Sequence, residues 1–453
     1  MNSASPESIT MDVMPSHSGR TALGFWIPLA GLVAIFGYLL VYHYHHERQD
    51  NAAHMGDFGT FYQAAQFAME GRDIYTAGKP AQKYVYPPLV AFLYTPLTRL
   101  SMLHAAEVAL LINALVLIGS VLLAARAMGQ RLDPAGAGAF LLVALLVSLL
   151  NENELRLQLT MLETDGLMLL MFTLALWWLD RRPALAGMAL AFAFNIKYLP
   201  IVVLPYLLLR RRWKTAAGMV LGSIFFALLP AILLGWREDL RCLRVSFGGL
   251  LKWVGVAPAS PGAIQIHGIG DMLSLSITSA LGRLLEPYGF SGAAIMAVAG
   301  GVGLVALVVV AWIYRAHGVS LWRSPGRTAR AKPPNAGLVA LEWAGLMTVA
   351  LAFSPDTNAR HLLLNVIVNT AGVVLLLMPQ PPASRLRLVA ALLIIFLSAI
   401  MPIHAWRGDF FRYGIPCFGL LAGYLMILWT GLDREIQRHH VTTEGAEQTV
   451  IPK

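Results

Sequence analysis

The sequence predicts an all-α polytopic membrane protein, and three observations lead there. Hydrophobic residues fill 57% of the 453 positions and charged residues 13%, against about 45–50% and about 25% in soluble domains. Apolar runs able to cross a hydrocarbon core of about 30 Å recur through the chain. The net charge of +9 gathers in short basic clusters between those runs. Such clusters are topological signals of a membrane protein and give no reason to expect a nucleic-acid partner.

The first run, Thr21–Val41, is too long for the apolar core of a signal peptide and no small-residue cleavage site follows it, so it reads as a retained span. About ten full spans can be placed, near 22–42, 104–125, 136–150, 161–179, 215–235, 291–314, 336–353, 362–378, 388–404 and 413–431. The stretch near 184–209 differs. "DRRP" precedes it, "RRRWK" follows it and "NIKYLP" interrupts it. Read as a re-entrant helix pair that enters and returns on one face, it keeps the basic loops together on the cytoplasmic side. Pro200 supplies the break, because it disfavours a helical Leu199. The expected division is a cytoplasmic tail 1–21, a membrane domain 22–431 and a second cytoplasmic tail 432–453. Segments 43–103, 151–160, 236–290, 355–361 and 405–412 then face outward.

The longest outer segments, 43–103 and 236–290, hold most of the candidate chemistry. After Asp57, the residues Phe58, Phe61, Ala65 and Ala68 share one face at helical spacing and Gly71 marks an end. This predicts an amphipathic helix in the first outer loop, lying along the membrane surface or under the protein. Asp57 is either its N-cap or an active-site carboxylate, and the two roles can coexist. Tyr62, Tyr84 and Tyr86 offer rings and hydroxyls that suit a sugar cavity or an interfacial anchor, and Pro87–Pro88 starts a rigid entry into membrane-level helix. Lys197 is a cation in an apolar run, a functional candidate whose expected partner is an anion entering from outside or from the outer leaflet. His361 ends "SPDTNARH", and Arg360 beside it makes a cationic spot suited to phosphate. Gln158 and Asp271 are further candidates. Glu163/Asp165 and Glu152/Asn153/Glu154 carry oxygens that Mg²⁺ could use, yet no Asp-x-Asp occurs and neither a metal nor a cofactor is expected. Cys242 and Cys417 make no metal quartet or disulfide framework. There is no P-loop, dinucleotide fingerprint or GxSxG.

The set "GDFGTFYQAAQFAMEGRDIY…YVYPPLVAFLYTPL", "AGMALAFAFNIKYLP…RRRW" and "SPDTNARH" resembles glycosyltransferase family 87, over about residues 23–431. The resemblance implies a GT-C membrane fold. It also implies transfer of a sugar, mannose favoured, from a polyprenyl-phosphate donor to a lipid or glycan hydroxyl on the extracytoplasmic side of the plasma membrane. Residue by residue it implies Asp57 as the general base and Lys197 and His361 on the donor phosphate; Arg360 is expected to help there, and Tyr62, Tyr84, Tyr86, Gln158 and Asp271 are expected along the cavity. Direct displacement would invert the donor sugar. The competing class is a transporter or flippase for an anionic or lipid-linked substrate, in which the broken helices form a gate.

Overall fold

The computed structural model describes residues 18–49, 56–79, 82–133, 139–253, 269–319, 336–400 and 412–447. Most of the expected first tail, the end of the second and nearly all of segment 405–412 lie outside the described residues. So do positions 50–55, 80–81 and 254–268 of the two long outer loops.

The described chain is helical apart from one small ladder. Helix α1 (Ser18–Gln49) is followed by α2 (Gly56–Met69) and by a 3-10 turn, Ile74–Thr76. Asp73 caps that turn by accepting the Tyr75 N–H at 3.0 Å. Strands β1 (Gly78–Lys79) and β2 (Gln82–Lys83) pair antiparallel, Gly78 opposite Lys83. Helix α3 (Pro88–Tyr94) starts on a proline, whose missing N–H would have been unsatisfied there in any case. Then come α4 (Met102–Leu132), α5 (Phe140–Leu150), α6 (Glu152–Met161), α7 (Asp165–Trp178), α8 (Pro183–Ile196) and α9 (Val203–Leu209). The chain continues through α10 (Trp213–Leu228), α11 (Ala231–Leu234), α12 (Trp236–Trp253), α13 (Ile277–Leu285) and α14 (Gly292–Ala316). It closes with α15 (Ala336–Phe353), α16 (Asn365–Leu377), α17 (Pro382–Ile400) and α18 (Ile415–Glu447). Serines cap several of these starts. Ser101, Ser276 and Ser291 accept the N–H groups of His104, Ser279 and Ala294, satisfying donors that a helix start leaves unpaired.

Among the described residues, seven helical stretches are long and apolar enough to cross a membrane: Gly24–His45, Met102–Leu132, Trp213–Leu234, Gly292–Ala316, Ala336–Phe353, Pro382–Ile400 and Ile415–Arg434. Three of the ten expected spans, near 136–150, 161–179 and 362–378, coincide with shorter apolar helices of 10–17 residues. The stretch near 184–209 is indeed two short helices, α8 and Leu199–Leu209, parted at Lys197 and Tyr198. The chain past 432 continues as helix to Glu447. Helix α15 is the most enclosed span, with 78% of its apolar window buried, whereas α14 and α10 bury only 11% and 17%. The last two therefore present apolar side chains outward, as helices in contact with lipid do.

Helix α2 departs from the surface-lying helix expected of it. Phe58, Phe61, Ala65 and Ala68 are buried, but so are Thr60, Tyr62, Ala64 and Phe67 on its other faces. The segment after it folds back and α3 covers the second face, so that Phe61, Phe67, Ile74, Tyr84 and Val90 join one apolar cluster. Gly71 ends the helix at φ +69°, the left-handed conformation favoured for that position.

The tightest packing lies between α8 and α10. A Cβ on Gly187 would press into the Thr215 carbonyl oxygen and stand 2.6 Å from the Met219 backbone nitrogen. One on Gly218 would lie 2.5 Å from the Ala184 carbonyl oxygen. Gly218 and Gly222 form a small-xxx-small pair, the pattern that lets two membrane helices approach backbone to backbone. Across that contact, Asn195 donates to the Ser223 carbonyl at 3.2 Å, fixing the end of α8 from which Lys197 follows. Gly187→Val should therefore lower stability by about 1–3 kcal/mol or more, read as a lower melting temperature in detergent. Gly37→Ala, whose added methyl meets open space, should not.

Candidate active site

Five ionisable side chains and one imidazole converge from four parts of the chain. Asp57 comes from the first turn of α2, Glu163 from the α6–α7 connection and Asp165 from the start of α7. Lys197 follows the end of α8 in an extended conformation (φ −142°, ψ 142°). Arg360 and His361 open the turn into α16. Leu162, just before Glu163, is held at φ +50°, a strained conformation for a leucine. It swings the chain from α6 into α7 within three residues and so puts Glu163 and Asp165 side by side.

Lys197 Nζ lies 2.6 Å from Asp165 Oδ1, 3.3 Å from Glu163 Oε2 and 2.9 Å from His361 Nε2. An ammonium only donates, so His361 accepts through Nε2. Its other ring nitrogen, Nδ1, lies 3.3 Å from the Asn358 backbone nitrogen. The Tyr86 ring stands 5.4 Å from the same ammonium, within cation–π range. Arg360 Nη1 donates to Asp57 Oδ2 at 2.8 Å and is also paired with Glu163 Oε1. Glu163 thus bridges both cations. Its backbone carbonyl is taken by Gln158 Nε2.

Asp57 and Glu163 also share a hydrogen bond, and two carboxyl groups in contact need a proton between them. Asp57 holds it. Burial, then the hydrogen bond to Glu163 and the charge on that group, push its pKa up to about 8 against the opposing pull of Arg360 and Lys197. With that proton counted, two carboxylates balance two cations. Arg360 is the most exposed of the ion-paired side chains in this cluster at 28%, while Glu163 and Asp165 are enclosed at 1% and 0%. The guanidinium is therefore the part of the cluster that an arriving anion meets.

Of the residues singled out in the sequence, Asp57, Lys197, Arg360, His361, Tyr86 and Gln158 come together here. Three lie elsewhere. Tyr62 packs on Phe58 and donates to the Leu100 carbonyl at 2.7 Å. Tyr84 is fully enclosed, its hydroxyl donating to the Pro87 carbonyl at 2.7 Å and accepting the Ala91 N–H at 3.0 Å. Asp271 belongs to a separate turn, where it accepts the Leu273 N–H at 3.0 Å. Glu163 and Asp165, which read in the sequence as possible metal ligands, are the partners of Lys197, so its ammonium is paired within the chain and not with an entering anion as expected. The signal was a pair of carboxylates two residues apart at the head of an apolar helix. The Glu163, Asp165 and His361 ligand atoms lie within 4.8 Å of one another, close enough to hold a metal ion, but the Lys197 ammonium points into their midst.

A multi-pass membrane protein with a buried acid, a guanidinium and an ammonium gathered where its helices end has the makings of a membrane-embedded transferase. Comparison with known families agrees: the chain belongs to glycosyltransferase family 87, whose model matches residues 84–355, more than half of its length. It is therefore a membrane glycosyltransferase of a GT-C-type family. The matched residues include Glu163, Asp165 and Lys197, while Asp57, Arg360 and His361 fall outside them. No curated protein and no solved structure matches.

Glu163 is the member on which both cations depend. Glu163→Ala should cost about 3–5 kcal/mol, the usual loss when one partner of a buried ion pair is removed. Glu70→Ala, which removes the exposed partner of Arg72, should leave the melting temperature unchanged.

Proposed function

We propose that the protein transfers a sugar from a polyprenyl-phosphate donor to a hydroxyl of a lipid or glycan acceptor, with mannose the favoured sugar and the active site extracytoplasmic. The observation that supports it best is a carboxyl of raised basicity, Asp57, paired at 2.8 Å with the partly exposed guanidinium of Arg360. Glycosyl transfer from a phosphate needs both, a base for the attacking hydroxyl and a cation for the leaving oxygen. The acceptor oxygen bonds to the anomeric carbon as the bond from that carbon to the phosphate oxygen breaks. The bonding pair leaves with the phosphate, and the hydroxyl proton passes to the ionised form of Asp57. Attack from the face opposite the phosphate inverts the anomeric centre.

In this reading the donor phosphate sits against Arg360, with Lys197 and His361 behind it. The charge that develops on the phosphate is then met in a low-dielectric site, where fixed cations act more strongly than in water. The ring of Tyr86 and the amide of Gln158 lie beside the same cluster. Placing the stretch near 184–209 as a re-entrant pair keeps Arg211 cytoplasmic and turns Lys197 toward the outer leaflet. That orientation suits a lipid-linked donor. A transporter reading would require a polar path through the membrane, and the cluster is instead closed beneath by Glu163 and Asp165.

Two experiments test this. Asp57→Asn keeps the shape and loses the base, so it should fold, bind donor and lose about 10²–10⁴-fold in turnover; near-normal turnover removes Asp57 from the mechanism. Because the ionised form is the base and the group titrates at about 8, wild-type turnover should climb from neutrality through that pH, where it is half-maximal, and level off above it. The orientation is checked by single cysteines in a background lacking Cys242 and Cys417. A cysteine at 271 should react with an impermeant reagent added outside, and one at 211 should not; the reverse pattern overturns the proposed sidedness.

A further inference from the structure

The three acceptors around Lys197 form a ligand set of a kind usually found around a metal ion. Two carboxylates and a neutral imidazole, all buried, aim Glu163 Oε2, Asp165 Oδ1 and His361 Nε2 at one point, and the point is occupied by an ammonium. An ammonium has three N–H groups, and here each has one acceptor. The second carboxylate oxygen of Asp165 has no hydrogen-bond partner although it is fully enclosed. It faces the same imidazole at 3.6 Å and is available as a further ligand. Oxygen and imidazole donors of this type suit Mn²⁺, Mg²⁺ or Zn²⁺.

We infer that Glu163, Asp165 and His361 form a divalent-cation site whose place is taken by the Lys197 ammonium, so that the protein carries as part of its own chain the cation that an exchangeable metal would otherwise supply. The inference rests on the transferase reading for what the cation does, but not for where it sits. The positive charge enters through α8, whose register is set by the glycine contact with α10. It cannot be washed out, and it stands behind Arg360 as a fixed part of the phosphate field. A divalent ion needs ligand distances of about 2.0–2.2 Å, shorter than those to the ammonium, so the three side chains would have to draw inward after the lysine is removed.

The test uses the full-length protein in lipid. Wild-type turnover should be indifferent to EDTA and to added Mn²⁺, and the protein should show no bound Mn²⁺ by electron paramagnetic resonance. Lys197→Ala opens the site. It should lose about 10²–10³-fold in turnover, the usual cost of one transition-state donor, and should acquire one Mn²⁺ that also raises its melting temperature. Adding Glu163→Gln to that variant should abolish the bound Mn²⁺. Lys197→Met, which keeps the volume without the charge, should lose turnover to the same degree and take up no metal.

Loss of wild-type turnover in EDTA would overturn the inference, because the resident cation would then be exchangeable. So would a Lys197→Ala protein that folds without taking Mn²⁺, or one that fails to fold even in Mn²⁺ while Lys197→Met folds. Metal uptake is read without any glycosyl transfer. A failure of the transferase reading, seen as normal turnover by Asp57→Asn, therefore leaves this outcome separately legible.

Discussion

Glu163 holds the structure of the site together. A carboxylate that is 1% exposed could not stay ionised alone in an apolar bundle, because desolvation would push it to its neutral form. It is kept charged by Lys197 on one side and Arg360 on the other. Each of those cations would in turn be expensive at this depth without it. The arrangement explains why four distant parts of the chain must meet here. No one of these groups is tolerable until its partners arrive from α2, α7, α8 and the turn into α16.

The surrounding helices fix that meeting from below. Helix α7 leaves the site at Asp165 and runs about 20 Å at 1.5 Å per residue to its other end. There Asp180 is paired with Arg131 at 2.8 Å and with Arg212 at 2.7 Å. One carboxylate therefore ties the end of α4 and the start of α10 to the turn between α7 and α8. The glycine contact between α8 and α10 then leaves Lys197 little freedom along its helix axis. A second buried group joins Arg210, Glu342, Tyr206 and Tyr314 and links α9 to α14 and α15. These ion-paired groups thus lie at helix ends or within two turns of them, and apolar surface is left to the lipid.

How much of this could be read in the sequence follows from the physics of each signal. Lys197 was legible because a cation in an apolar run has few innocent explanations, and Gly71 because only a left-handed residue ends such a helix well. The apolar stripe of α2 was legible as a period. Its second buried face, with Ala64 and Phe67, was not, because α3 and the intervening turn create that burial and neither shows in the spacing of α2. The tyrosines illustrate the opposite failure. A tyrosine near an interface has the same sequence signature whether its hydroxyl meets a sugar or, as with Tyr84, a backbone carbonyl three residues on. Glu163 and Asp165 were visible as a pair but were weighed only against a metal ion. Sequence spacing along one helix says nothing about an ammonium arriving from another.

That pairing also reconciles the two roles weighed for Asp57. It lies in the first turn of α2, where a negative charge is favoured by the helix dipole, and that placement holds whether or not the group reacts. A carboxyl with only a capping duty would face its own backbone and solvent. Asp57 instead reaches out of its helix to Arg360, a residue 303 positions away, and shares a proton with Glu163. Burial and then the hydrogen bond to Glu163 raise its basicity, while the guanidinium lowers it and keeps part of the population ionised. A carboxylate balanced in this way can accept a proton near neutral pH and release it again. Local capping asks nothing of Glu163 or Arg360, and the chemistry asks for both.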